Sequence, residues 1–444
     1  MAAIELLQEL IRLDTTNPPG QEGPAAELLE ARLASAGLEG EILMSPGGRP
    51  SLVARLPGPQ DRSALVLLSH TDVVGVEEDK WSHDPFGGAI DDGFIWGRGA
   101  IDMKSIAVMH AEAVMALAAS GETIEREIIF VSVADEEAGG LEGAEWLVPA
   151  HPEKVGLRAG GPAPEILGEG AFGITGVLDV PVIPVALGEK SALWISLRAR
   201  GEPGHGSIPP ARTALHNLTR FVNEVARDGA ARVHPVMREQ FGILAAKTTG
   251  SRRRAFQALA SSAGPAVARV LRPRLDSRVL AATLADTVTP TMLSAGYKTN
   301  VVPGEATGSL DVRLLPDTDP GKFVADLRRR GVKHDVHVEV GNQCISPVSD
   351  KTALYDIITE LSKQIAPGAV VVPSITPGTT DVRVFRRAGA GGYGWAPLVL
   401  TPEVFATIHG HDERVEVAGF ERAVELVTQA VRRAAVGEHS PLRS

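Results

Sequence analysis

Cysteine is almost missing: Cys344 is the single one in 444 residues. No disulfide can form within the chain, and no thiolate-rich zinc site can be built from it. Positive charge is also short, with 44 lysines and arginines against 55 aspartates and glutamates and a formal net charge of −11. That balance argues against nucleic acid or an anionic membrane as the main partner. Long apolar runs are lacking too. Stretches such as Ile128 to Ala134 fall far short of the roughly 20 residues that cross a bilayer. The opening MAAIELLQELIRLD carries Glu5 and Glu9 inside its apolar stripe and no basic leader, so it reads as an amphipathic helix rather than a signal peptide. No repeat or low-complexity segment stands out, apart from a polar tail after Gly437. These absences predict a soluble protein in a reducing, cytoplasmic setting.

What is present is an ordinary globular composition, 44% hydrophobic and 22% charged, in a chain long enough for two domains. Helical patterns over residues 3–13 and 24–36 flank the Asn-Pro-Pro-Gly stop at 17–20, and Gly37 suits a C-cap. Apolar β-rich runs at 64–68 and 127–133 then alternate with helical stretches at 103–119 and 141–148. Continuous apolar strands between helices indicate an α/β domain with a mixed, mostly parallel sheet covered on both faces. The middle differs. A half-buried strand at 193–200, a helix at 213–226, β-like runs at 289–295 and 306–314, a helix at 322–330 and a strand at 336–340 follow the ferredoxin-like order. An arginine- and alanine-rich helical stretch at 238–285 interrupts it, with Arg252, Arg253 and Arg254 as a solvated face. The α/β pattern returns near Ser346. The predicted layout is an α/β domain of residues 1–189 and 344–444, with an α+β domain inserted over 190–343 and hinges near Lys190 and Gly341.

The chemistry gathers where strands end. ALVLLS runs into His70 and Asp72, WGRGAIDMK puts Asp102 at a glycine turn before a helix, and IIFVSVA ends in Asp135, Glu136 and Glu137. Glu169 follows a short β run between Gly168 and Gly170, and ATIHGHDERV supplies His409, His411 and Glu413. Ligands of open α/β sheets bind outside the carboxyl ends of the strands, so these groups converge on one crevice. Each alone reads as a loop residue. Together, with no basic side chains beside them, they are costly to bury unless cations neutralise them. Histidines and carboxylates without thiols suit zinc, or cobalt or manganese in its place.

SHTDVV, GRGAIDMK, ADEEAGG, the Gly-Glu-Gly at 168–170 and IHGHDER together resemble the M20 metallopeptidase family. That family includes aminoacylases, acetylornithine deacetylase, succinyl-diaminopimelate desuccinylase and glutamate carboxypeptidases. The match keeps the family's order and approximate spacing over nearly the whole chain. The resemblance implies two zinc ions per subunit, one held by His70 and Glu169, the other by Glu137 and His409, with Asp102 bridging. His409 is preferred to His411 because it keeps the family's spacing to Glu413, and His411 becomes its neighbour. The resemblance also implies a cis Asp102–Met103 peptide, Asp72 orienting the imidazole of His70, and Glu136 as general base.

The inserted domain resembles the family's lid, often a dimerisation surface, which implies a possible homodimer. By the same resemblance His205, between glycines in RGEPGHGSIPP, would reach a partner's active site and stabilise the tetrahedral oxyanion. Asn300 and Arg313 from the lid, with Gly378 and Thr379 from a catalytic-domain loop, would bind the substrate carboxylate. An arginine suits that task because its planar fork can meet both oxygens. The expected activity is hydrolysis of an N-acyl amino acid or similar small amide with a free carboxylate. A carboxypeptidase or dipeptidase reaction is the nearest alternative. A non-catalytic binding module is the alternative of another class, disfavoured because every motif position holds a competent residue.

Overall fold

A computed structural model describes residues 2–226, 229, 231–275 and 277–436. The polar tail after Gly437 lies outside them. The chain divides into two compact units: Met1–Gly188 with Pro347–Ser374 and Thr380–Ser444, and Glu189–Ser346 with Ile375–Thr379.

The first unit is built on an eight-stranded sheet. From edge to edge its strands are Gly40–Met44, Pro50–Leu56, Ile128–Val133, Leu65–His70, Glu165–Ile174, Gly391–Leu400, Val182–Glu189 and Val370–Thr376. The third to sixth of these run parallel to one another, and the first two are antiparallel to their neighbours. Every residue of Leu65–His70 and Ile128–Val133 is buried. That explains their unbroken apolar character, since helices must cover both faces of such a sheet. On one face Val66, Leu68, Ile129 and Val131 pack with Leu147 and Phe385 from the helices Ala144–Ala150 and Val382–Arg387. Each fully buried side chain of this kind contributes roughly 1.5–3 kcal/mol, which fixes the register of the strands whose ends carry the site. The helices Lys104–Ser120 and Val417–Val436 pack together elsewhere in the unit. Buried Lys104 donates to the carbonyls of Leu10 (2.9 Å) and Leu13 (2.8 Å), closing the end of the helix Ala2–Ile11.

The second unit holds a four-stranded antiparallel sheet ordered Thr287–Ala295, Glu305–Leu314, Ser191–Arg200, Val336–Cys344. The helices Ala214–Val225 and Pro320–Lys333 bury one of its faces through Leu218, Phe221, Val324 and Leu327. This is the ferredoxin-like arrangement. Ser191–Arg200 alternates buried and exposed positions beyond Leu193, as a one-sided strand must. The helices Pro235–Ala246, Gly250–Ala260, Gly264–Leu271 and Arg278–Ala282 form the insertion, and Arg252, Arg253 and Arg254 are exposed in the first turn of Gly250–Ala260.

Two details differ from the sequence reading. The chain returns to the first unit at Pro347, and Ile375–Thr379 groups with the second. There Lys190 N donates to Thr376 O at 2.9 Å, and Arg313 Nη1 to Thr379 Oγ1 at 3.4 Å. Glu169, expected after a short strand, instead lies inside the strand Glu165–Ile174. The ladder breaks around it: the pairing of Gly168 with Gly394 is followed by Phe172 with Ala396, and Gly170 has φ 129°. The irregularity is what frees Glu169 from a regular strand alternation.

Candidate metal centre

His70 is the last residue of its strand and only 2% exposed. Its Nδ1 lies 3.0 Å from the carbonyl oxygen of Asp72 and 3.4 Å from Asp72 Oδ1. A proton on Nδ1 serves that carbonyl and leaves the Nε2 lone pair facing Asp102 Oδ1 at 3.5 Å and Glu169 Oε1 at 3.6 Å. Asp102 comes from the turn before Lys104–Ser120, where the Asp102–Met103 peptide is cis. Its other oxygen, Oδ2, is 3.1 Å from His409 Nε2, which is also 3.3 Å from Glu137 Oε1. Two groups result, His70–Asp102–Glu169 and Asp102–Glu137–His409, each with ligand-type atoms within 4.8 Å of one another. Asp102 belongs to both.

The residues fit cations. Nε2 of His70, Oδ1 of Asp102 and Oε1 of Glu137 are buried with no hydrogen-bond partner among the described residues. Buried polar atoms are almost always paired, so orphans within each of the two groups mark missing partners. Burial pushes the carboxyls of Glu137 and Glu169 above the ordinary range, Glu169 strongly, and the charge of Asp102 adds to both shifts. Burial acts in the same direction on Asp102, but hydrogen bonds from His409 and His70 overcome it and hold that carboxyl low. Hydrogen bonds to Asp102 and then to Glu137 raise His409 to about 10. The carboxylates demand positive charge, and a divalent cation meets the demand without protonating the histidines.

Glu136 and Glu137 share the short turn Glu136–Ala138, entered through Asp135 in the left-handed region (φ 68°). Their side chains part. Glu137 joins the second group, whereas Glu136 joins neither and brings Oε2 within 4.0 Å of His70 Nε2. Burial drives the Glu136 carboxyl well above its usual range. Asp72, fully buried, accepts the main-chain N–H of Glu136 on Oδ1 (3.1 Å), and that of Glu137 on Oδ2 (3.0 Å). Its carboxylate thus holds the turn more closely than it holds His70.

In the second unit, His205 lies on the two-residue strand Gly204–His205, exposed, with Nδ1 2.7 Å from Ser207 Oγ. That strand pairs with Val301–Val302, and Asn300 O accepts the N–H of Gly206 at 2.8 Å. Arg313 lies beside Thr379, as given above, and Gly378 precedes it. Asp311, however, takes the Nε and Nη2 edge of Arg313 at 2.7 and 3.0 Å, leaving Nη1 rather than a free fork for a carboxylate.

Sequence reasoning missed several supporting groups. Asn17, read as part of a helix stop, donates to Asp72 Oδ2 (2.8 Å) and Asp135 Oδ1 (3.2 Å). Asp381, which the resemblance placed with Gly378 and Thr379 in the loop for the substrate carboxylate, is buried beside Gly140, with no partner for Oδ2 among the described residues and its carboxyl pushed up to about 6 by burial. Glu413, used only for its spacing, forms a buried pair with Arg98. His411 is not a neighbour of the centre: its Nε2 meets Glu77 Oε2 at 2.9 Å.

The family model for peptidase family M20/M25/M40 matches residues 66–433. The chain belongs to that family. Members of it are metal-dependent amidohydrolases or peptidases, and so is this chain. Aminoacylase-1 of Sus scrofa is 31% identical over 435 residues, covering 96% of this chain and 94% of that protein. The M20 metallo-carboxypeptidase Sso-CP2 of Sulfolobus solfataricus superposes with a TM-score of 0.75 at 18% identity, covering 97% and 99% of the two chains. YXEP of Bacillus subtilis, described as a dinuclear metal-binding M20 peptidase, has a TM-score of 0.59 at 14% identity over 97% and 96%. At such identities the last two speak for the fold alone.

Proposed function

We propose that this M20 enzyme hydrolyses the amide bond of an N-acyl amino acid or a similar small amide with a free carboxylate, using two zinc ions per chain. The observation that carries the reading is the parting of Glu136 from Glu137. One carboxylate joins a ligand group, and its neighbour, 11% exposed, comes within 4.0 Å of His70 in the other without belonging to either. His70 and Glu169 would hold one cation and Glu137 and His409 the other, with Asp102 shared between them; cobalt or manganese could substitute. When bound, the cations acidify water and polarise the scissile carbonyl. Glu136 takes the proton of the attacking water and returns it to the leaving nitrogen. Asp72 fixes the turn from which Glu136 acts. The substrate class follows the aminoacylase likeness, with Asn300, Arg313, Gly378 and Thr379 receiving the carboxylate. His205 serves the oxyanion across a homodimer.

The test is Glu136→Gln, which keeps size and removes the base. Turnover should fall by ~10²- to 10⁴-fold while bound metal stays at the wild-type level. Unchanged turnover would refute the assignment. A screen of N-acyl amino acids against dipeptides, in buffered zinc or cobalt, tests the substrate class. Faster cleavage of dipeptides would overturn it.

A further inference from the structure

Arg98 and Glu413 form an ion pair at 2.6 Å, with 2% and 0% exposure, that the reaction above does not use. Glu413 Oε1 accepts two main-chain N–H groups, from Ile101 at 2.8 Å and Asp102 at 3.0 Å. Arg98 Nη2 donates to the carbonyl of Gly410, the residue after His409, at 2.7 Å, and to Gly75 at 3.3 Å. The pair thus ties the main-chain N–H of Asp102 to the carbonyl of Gly410, one residue beyond His409. Asp102 and His409 are two of the three members of one ligand group, separated by some 300 positions in the chain.

His409 needs such a tie. Its φ is 58°, a left-handed conformation that few non-glycine residues adopt without external support. Its side chain is half exposed, and its segment between Pro402–Phe405 and Arg414–Glu416 is turn without regular structure. In the two residues before the pair's glutamate, His411 meets Glu77, Asp412 accepts the N–H and hydroxyl of Ser82 at 2.7 and 2.8 Å, and the Asp412 carbonyl accepts from Arg414 Nη1 at 2.9 Å. The other ligand group is held differently. His70 ends a fully buried strand and meets the Asp72 carbonyl, and Glu169 follows, at the break in the ladder, a stretch paired with parallel neighbours on both sides. A buried ion pair gives little net stability compared with apolar side chains of the same volume, so geometry is the better account of this one.

Resting on the two-cation reading, we propose that Arg98 and Glu413 are positioning residues for the cation of Asp102, Glu137 and His409, and set its affinity separately from that of its neighbour. Losing either partner alone leaves a buried unpaired charge. The informative variant is therefore the double change Arg98→Met with Glu413→Gln. The glutamine oxygen can still accept from Ile101 and Asp102, no charge is stranded, and the tie to Gly410 is cut. Arg98→Lys is the second variant: it keeps the charge beside Glu413 but cannot also reach Gly410.

The measurement is Co²⁺ uptake by metal-free protein, followed by the visible spectrum and by competition with a chelator. His409→Ala identifies which of the two binding steps belongs to this group. Wild type should take up two ions per chain. The double variant should lose ~10- to 100-fold in the step that His409→Ala abolishes, the range for supporting contacts to metal ligands, and stay within threefold in the other. Arg98→Lys should show the same selective loss, smaller in size. Two unchanged affinities would overturn the proposal, and so would equal losses in both, which would make the pair general scaffold. A wild type that binds a single ion would overturn the two-cation reading itself, on which the pair's role depends.

Discussion

Replacing Asp72 by asparagine probes the turn that presents the proposed base. The two carboxylate oxygens divide three donors: Oδ1 accepts from Glu136 N, and Oδ2 from Glu137 N and Asn17 Nδ2. Asparagine offers one acceptor oxygen and an NH₂ group. Set in the Oδ2 position, the oxygen keeps two bonds and the NH₂ faces the N–H of Glu136. The opposite orientation gives up two bonds, so the first is preferred. The loss is then one hydrogen bond to an ionised acceptor, about 1.5–3 kcal/mol, and it falls on the backbone of Glu136. At 1.4 kcal/mol per factor of ten, kcat/KM at saturating metal should drop by ~10- to 100-fold. Metal affinity should fall less steeply at His70, whose Nδ1 bonds to the Asp72 main chain rather than to the altered group. Steady-state hydrolysis in metal buffers, with chelator competition on the same preparations, reads both numbers. A variant within threefold of wild type in kcat/KM would refute the reasoning, because the side chain would then not be positioning the turn.

Two further predictions concern stability. His110 is fully buried on Lys104–Ser120, neither ring nitrogen has a partner among the described residues, and burial lowers its pKa to about 3. Below its ordinary value of 6.5 the unfolded chain takes up a proton that the folded one refuses. Stability therefore falls as pH drops from 6.5 toward 3, by up to ~1.4 kcal/mol per pH unit. His110→Leu removes that term. Its advantage over wild type should grow by roughly 2 kcal/mol between pH 8 and pH 5 in urea unfolding of metal-free protein, and a pH-independent difference would contradict this. At Gly394 an added Cβ would stand 2.5 Å from Glu169 O and 3.0 Å from Gly170 Cα. Gly394→Ala should cost about 1–3 kcal/mol and weaken metal binding at His70 and Glu169, which melting and Co²⁺ titration would show.

Much of the parallel core was legible because its strands are apolar throughout, a pattern that only a doubly covered sheet requires. His70, Asp102 and Glu137 stood out because each follows such a strand or sits at a glycine turn. Glu169 was harder. Its placement depends on a broken ladder and on the φ of Gly170, neither of which leaves a local pattern in EILGEGAFG. The choice between His409 and His411 came from likeness and spacing, and the backbone turns the first toward Asp102 and the second toward Glu77. Arg98 and Glu413 were invisible as a pair because 315 positions separate them. Arg313 was legible as a candidate but not as a residue already engaged by Asp311, since contact between neighbours on one strand face depends on rotamers.

The order of strands in the large sheet has a kinetic consequence. Leu65–His70 is flanked by strands that come later in the chain, Ile128–Val133 and Glu165–Ile174, and the last of these waits for Gly391–Leu400. No two adjoining members of the parallel set are joined by a short hairpin, so the ligands remain scattered until distant segments have paired. An unfolded chain cannot assemble either full ligand group, so most of the binding energy accrues to the finished fold. For each of the two sites, every tenfold rise in free metal above its dissociation constant should add about 1.4 kcal/mol of resistance to unfolding. For a cell, metal supply would then act on the lifetime of this protein as well as on its rate.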